Sequence, residues 1–280
     1  MNVQVLLNTI KNLVDNKTEV TSQMVQKGNT TLTGISIGKG KIRPTVYMEH
    51  YEELFESDGY GAVAKEMVKL CKEIGVPDID EQEITSWDYV KNNLQLCVAP
   101  KGINKDFVTI PYLDLELYFR VKVFEDGTYK VNEIMLSSWG VTKDDLLTFV
   151  MQTSKYTVNS MRDKVIEMMI EFGASEEEIE EMRNNATPDQ TVVTSENNVN
   201  GASAIYNKKI LKEVADKYKS DLYIIPSSIH EILLIPTKFG GEKEDMDNMV
   251  KEVNATQVEP HEVLADHVYI FRRDTMEIEW

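Results

Sequence analysis

Two cysteines are all this 280-residue sequence has, Cys71 and Cys97, with no Cys-x-x-Cys pair and no Cys/His spacing of a zinc site. A disulfide framework and a cysteine-based metal fold are therefore excluded. Cys71 falls in a helical pattern and Cys97 in a strand pattern, so both are expected as free, buried, small apolar side chains. No apolar run approaches the roughly 18 residues that span a bilayer, so no membrane partner is expected. The start, Met1-Asn2-Val3-Gln4-Val5-Leu6-Leu7, is too polar and uncharged for a signal peptide, and a cytoplasmic location is expected. Bases are scarce as well. Thirty Lys and Arg face 47 Asp and Glu, a net charge of −17, which disfavours nucleic acid and anionic lipid as partners. Also missing are Gly-x-Ser-x-Gly, Gly-Lys-Ser/Thr and His-Glu-x-x-His, the local signatures of a nucleophile elbow, a phosphate loop and a zinc protease.

What is present is globular. Hydrophobic residues make up 42% and charged residues 28%, enough for a sizeable core. Val3, Leu6, Leu7, Ile10, Leu13 and Val14 recur at helical spacing over 2–15. Alternating stretches at 17–26 and 32–37 predict a hairpin, with a third strand at 44–48. Helices are expected at 50–57 and 61–74, interrupted by Asp58-Gly59-Tyr60-Gly61. Ser86 caps a short helix before a strand at 94–99. Leu113, Leu115, Leu117 and Phe119 alternate with polar residues as in a half-buried strand, which 125–128 turns into a partner strand at 129–136. Thr142-Lys143-Asp144-Asp145 opens a helix reaching about 156. Residues 159–183 read as Met-rich and then acidic helix, with Met161, Met168, Met169 and Met182 expected in the core. Helices at 206–218 and 243–254 and strands at 222–225, 231–235, 267–271 and 276–279 complete the chain. The pattern predicts an α+β fold of antiparallel hairpin sheets with helices packed on one face. Its two subdomains, 1–157 and 200–280, are joined by an acidic helical and polar segment, 158–199. The charge is uneven: residues 156–200 hold three Lys or Arg against ten Asp or Glu.

Three of the four histidines fall in the last third, each beside a carboxylate: His230-Glu231, His261-Glu262 and Asp266-His267. A carboxylate that orients an imidazole is the arrangement a general base or a metal site needs, which makes Ser227, Ser228, His230, Asp266 and His267 the candidate catalytic residues. Neighbours on a strand point to opposite faces, so His230 and Glu231 cannot pair with each other there. Ser227 and Ser228 follow a proline between strands, as ordinary turn residues do. The basic turn Gly38-Lys39-Gly40-Lys41-Ile42-Arg43 makes Lys39, Lys41 and Arg43 the candidate anion ligands, although no helix follows to supply a phosphate-binding N-terminus. Asp78, Asp80, Glu81 and Glu83 lack the glycine and terminal glutamate of a calcium loop. No cofactor is expected.

Several segments resemble an uncharacterised family: Leu136-Ser-Ser-Trp-Gly-Val-Thr142 before a helix, Asn200-Gly201-Ala202, Ser220 to Glu231 with its Pro-Ser-Ser-Ile-His-Glu run, Val253 to Val258, and Ala265 to Tyr269. The resemblance is to a domain-of-unknown-function family of gut anaerobic Gram-positive bacteria, often near mobile genetic elements. It covers nearly the whole chain and brings no activity with it. The sequence therefore favours a non-enzymatic protein-binding or regulatory module with an unidentified protein partner. A hydrolase or metal-dependent enzyme built on the C-terminal His/carboxylate residues is the first alternative, and an acidic mimic of nucleic acid the second.

Overall fold

The computed structural model describes residues 1–27, 30–40, 43–74, 80–124, 127–184 and 190–280, with Glu81 and Ser227 as backbone alone. The chain forms two compact units, Met1–Ile84 and Thr85–Trp280. The boundaries read from the sequence, 157/158 and 199/200, both fall inside the second unit. The polar stretch that suggested a linker contributes a strand to that unit's larger sheet.

In the first unit, helix α1 (Val3–Lys11) precedes a three-stranded antiparallel sheet of β1 (Glu19–Lys27), β2 (Thr30–Gly38) and β3 (Thr45–Tyr47), in the order β1-β2-β3. Helix α2 (Glu52–Ile74) is kinked at Gly59, where φ is 73°. Leu6 and Ile10 of α1, Ile35 of β2, and Val63 and Met67 of α2 form its core. Its last element is the short helix α3 (Glu81–Ile84). Cys71 and Cys97 are both free and buried, Cys97 in the second unit.

The second unit opens with α4 (Trp87–Asn93), capped by Ser86. A small sheet follows, of β4 (Leu94–Pro100), β5 (Thr109–Tyr112), β6 (Leu115–Lys122) and β7 (Thr128–Lys130). Strand β6 lies between β4 on one side and β5 and β7 on the other. Contrary to the half-buried reading, β6 is buried from Leu115 to Phe119. The loop after β4 covers its polar face: the Glu116 carboxylate accepts the Gly102 N–H at 2.8 Å, the Asn104 N–H at 2.8 Å and the Asn104 amide at 2.9 Å. Leu113 belongs to the two-residue turn before β6, with φ 58°.

The predicted partner strand 129–136 is strand only to Lys130. Asn132 accepts the Met135 N–H at 3.0 Å and starts α5 (Glu133–Trp139), which ends on left-handed Gly140. Helix α6 (Lys143–Thr153) has a capping box of Thr142 and Asp145. It stops three residues before the predicted end, because β8 (Tyr156–Ser160) begins there. Helices α7 (Met161–Glu171) and α8 (Glu176–Arg183) form a helical hairpin.

The chain continues with β9 (Thr191–Ser195), a 3-10 turn at Gly201–Tyr206, α9 (Lys208–Tyr218), β10 (Leu222–Ser228), β11 (Glu231–Pro236), α10 (Lys243–Thr256), β12 (Tyr269–Phe271) and β13 (Ile278–Glu279). The six-stranded antiparallel sheet has the order β13-β12-β10-β11-β9-β8, so β8 is an edge, and its Val158 is 47% exposed. Strand β10 is apolar on both faces and both are covered. Leu222 and Ile224 share a cluster with Leu211 and Val214 of α9, while Tyr223 and Ile225 pack with Met246 and Val250 of α10.

The 3-10 turn approaches the sheet closely. A Cβ on Gly201 would stand 2.3 Å from the Ser195 nitrogen, 2.6 Å from the His230 carbonyl oxygen and 2.6 Å from the Thr194 Cα. These are backbone atoms of β9 and of the turn between β10 and β11, and they cannot swing aside. Gly201→Ala should therefore cost about 2–3 kcal/mol, as overpacking of a rigid interior does. Urea unfolding followed by tryptophan fluorescence checks this, since Trp87, Trp139 and Trp280 all lie in the second unit.

Candidate functional site

The C-terminal histidines divide into two pairs. In the first, His230 Nε2 lies 3.1 Å from Glu262 Oε1, and Nδ1 accepts the Asn200 N–H at 3.4 Å. With Nδ1 an acceptor, the proton sits on Nε2 and is donated to Glu262. The His230 main chain is also engaged: its N–H donates to Ser228 Oγ at 3.0 Å and its carbonyl accepts from Thr194 Oγ1 at 2.7 Å. Both ring nitrogens are thus occupied, and the ring has no lone pair turned toward a substrate. His261 Nε2 is 4.0 Å from the same Glu262 oxygen. Glu231, next in sequence to His230, faces Lys164 of α7 instead, at 4.0 Å.

In the second pair, His267 Nε2 meets Asp114 Oδ2 at 2.9 Å, and the Tyr269 hydroxyl donates to Asp114 Oδ1 at 2.7 Å. Asp114 occupies the turn between β5 and β6, so one carboxylate clasps that hairpin to the strand entering β12. Burial works to raise the Asp114 carboxyl, but the hydrogen bonds from His267 and Tyr269 outweigh it and hold it below the ordinary value. Burial first, and then the bond to Asp114, push the Tyr269 hydroxyl far up. Asp247 of α10 completes the setting, accepting the Val268 N–H at 2.8 Å and Lys243 Nζ at 2.8 Å. Asp266, by contrast, accepts from the Asn254 amide at 2.8 Å near the end of α10.

The candidate residues are therefore dispersed rather than convergent. Ser228 holds a main-chain N–H, and the Ser227 side chain lies outside the described groups. Among the described residues, no group of three or more His, Cys, Asp or Glu is placed to hold a metal ion. Of the anion candidates, Lys39 pairs with Asp15 at 2.8 Å, Arg43 pairs with Glu19, and Lys41 lies outside the described residues. Asp80 caps the N–H of Gln82 at 2.8 Å, and Asp78 also lies outside the described residues.

A different surface combines exposure with unusual composition. Phe172, at the end of α7, is 84% exposed, with Met168 56% and Ile170 54% exposed. Met168 was expected in the core. It is out because α7 rests on the unit through a single buried residue, Ile166. Val165, Met168, Met169 and Phe172 line a groove closed by the α7–α8 turn and by Glu178. Residues 165–182 contain seven Glu and no Lys or Arg, and α8 exposes Glu176, Glu177, Glu180 and Glu181. Glu178 accepts the Ser175 N–H at 2.8 Å and the Ser175 hydroxyl at 2.7 Å, and this capping box keeps its carboxyl below the ordinary range.

Residues 3–273 match the model of a family of unknown function (DUF5688). The chain belongs to that family. No curated protein and no solved structure matches it. The family spans both units, and among the described residues no helix is long and apolar enough to cross a membrane.

Sequence reasoning missed Asp114 because it was assigned to the polar face of a strand. The turn it occupies is Tyr-Leu-Asp-Leu, with leucine at the positive-φ position where glycine or asparagine is the usual signal. A carboxyl held low in the fold contributes stability above its unfolded value near 4, and that contribution is lost as pH falls through the folded value. Asp114→Asn should lower stability at pH 7 by about 1–2 kcal/mol. The deficit should begin to shrink below pH 4 and approach zero only as pH falls through the lower folded value, where the native carboxyl is protonated too. Unfolding midpoints at pH 3, 5 and 7 test both parts.

Proposed function

We propose that this protein is a protein-binding module whose α7–α8 hairpin receives a basic amphipathic helix of its partner. The observation that carries this reading is the exposed pair Met168 and Phe172, which share a helix face and line the groove, set among the seven carboxylates of 165–182. Large apolar side chains left this exposed on one small hairpin gain about 1.5–3 kcal/mol each on full burial. The surrounding carboxylates select what does the burying. A helix with leucines on one face and lysines or arginines beside them satisfies both parts of the surface, and long-range attraction speeds its arrival. Methionines suit such a groove because their unbranched side chains repack around different partners. A second copy of the chain is disfavoured at the same face, since it would set seven carboxylates against seven. The apolar centre also separates this surface from a mimic of a phosphate backbone, for which charge alone suffices. The two buried, unbridged cysteines fit a cytoplasmic setting for the module.

A synthetic Leu/Lys amphipathic helix, titrated into the full-length protein, tests the reading. The Met168 and Met169 methyl resonances should shift, and raising the salt from 50 to 500 mM should weaken binding at least tenfold. Phe172→Ala should weaken it tenfold or more while leaving the melting temperature unchanged, because the side chain supports nothing in the fold. Glu180→Lys with Glu181→Lys should weaken it further. Equal binding of a Leu/Glu helix, or methyl resonances that do not move, would overturn the proposal. So would a stable dimer that Phe172→Ala dissociates, which would make the occupant a second copy.

A further inference from the structure

A second feature lies apart from that hairpin. A cavity of about 380 Å3 opens between the start of β4, the end of α6 and the loop after β9. That volume falls at the lower end of the roughly 300–1,000 Å3 of small-molecule sites. Its lining differs in kind from the rest of the molecule. Asn200 is only 6% exposed, yet its hydrogen bonds are made by the main chain alone: its N–H donates to His230 and its carbonyl accepts from Ser203. The side-chain amide has no partner among the described residues. Gln95, half-buried on β4, likewise has no side-chain partner. Among the described residues Lys122, half-buried on β6, has no carboxylate partner; its main chain pairs with Thr128 of β7 and its carbonyl accepts the Tyr89 hydroxyl. Register places Gln95 opposite Arg120, two residues from Lys122, so Gln95 and Lys122 share a face of the sheet.

None of these three side chains has a fully buried polar atom without a partner, so in the free protein water satisfies them, and three such groups around one cavity are positioned to exchange that water for a ligand. The lining charge points the same way. Lys155 and Glu196 pair at 3.7 Å, which leaves the Lys122 ammonium in excess, in a chain whose net charge is −17.

We infer that this cavity binds a small phosphorylated polyol, with Lys122 on the phosphate and the Asn200 and Gln95 amides on hydroxyl groups. The class follows from the donors. An ammonium is a point-charge partner for a phosphate, whereas each amide offers one acceptor and two donors, the combination that a hydroxyl, itself donor and acceptor, satisfies. The absence of an aromatic side chain from the lining disfavours a nucleobase, which would be gripped by stacking.

Calorimetric titration of the full-length protein with glucose 6-phosphate, ribose 5-phosphate and 3-phosphoglycerate tests the inference. Glucose and inorganic phosphate serve as half-ligand controls. At least one phosphorylated probe should bind ten times more tightly than either control and should shift the amide resonances of residues 92–96 and 195–203. Lys122→Met and Asn200→Gly, the latter compatible with the left-handed backbone of residue 200 (φ 56°), should each weaken that binding at least tenfold. No binding by any of the three probes would overturn the inference. So would inorganic phosphate binding as tightly as the best of them, or affinity unchanged in both variants.

Discussion

The contact between the 3-10 turn at 201–206 and the paired strands β9 and β11 is the constraint on which the second unit depends. Gly201 lies so close to the main chain at Thr194, Ser195 and His230 that hydrogen is the only side chain with room. That approach carries Ala202, Ala204 and Ile205 into the largest core cluster. It also fixes Asn200 in a left-handed conformation, from which its N–H reaches His230 and its side chain lines the cavity. One steric condition thus sets the His230 tautomer and one wall of the cavity at once. The His230–Glu262 pair belongs to this scaffold, tying the turn between β10 and β11 to residues 259–262, with the Ile229 N–H donating to the Glu262 carbonyl at 3.1 Å alongside it.

Asp114 performs the corresponding task at long range in sequence. It bonds residues 153 and 155 positions further along the chain and closes the small sheet onto β12. Taken together, the two His–carboxylate pairs place ionisable side chains where they act as internal ties. The two surfaces with unmet demands lie elsewhere, one apolar and ringed by carboxylates, the other polar and carrying a surplus ammonium. Their opposite characters mean that each excludes the ligand suited to the other.

Much of this was legible in the sequence. The first hairpin, the kinked helix after it, the caps at Ser86 and Thr142, and the apolar run of β10 each follow from local chemistry, and the structure has them. The failures share a cause: a contact distant in sequence overrode a local pattern. Glu116 alternates with leucines as a solvent-facing residue does, but the loop at 101–107 folds over it. Tyr129 to Leu136 looks like a strand until Asn132 is recognised as a cap. The Met-rich stretch reads as core because the sequence cannot say that α7 has one buried contact. The candidate residues fared in the same way. Adjacency of His and carboxylate along the chain was the visible signal, whereas the pairs that form join His230 to Glu262 and His267 to Asp114, which no local spacing reveals. Asn200 appeared as part of a polar stretch and of the family-like Asn200-Gly201-Ala202, and nothing in the sequence marks an amide that will lack a partner.

Strand β8 adds a practical consequence. Among the described residues it pairs with β9 on one side alone, and Tyr156-Thr-Val-Asn-Ser160 carries no charge and no proline. Natural sheets guard such margins with lysine, proline or a bulge, because open N–H and C=O groups template further strands. Here the margin stays open, with Val158 facing outward, so a strongly acidic protein that ought to stay dispersed has one neutral seam along which molecules can zip together. That seam is where edge-to-edge pairing of molecules would start, and a lysine at position 158 would seal it.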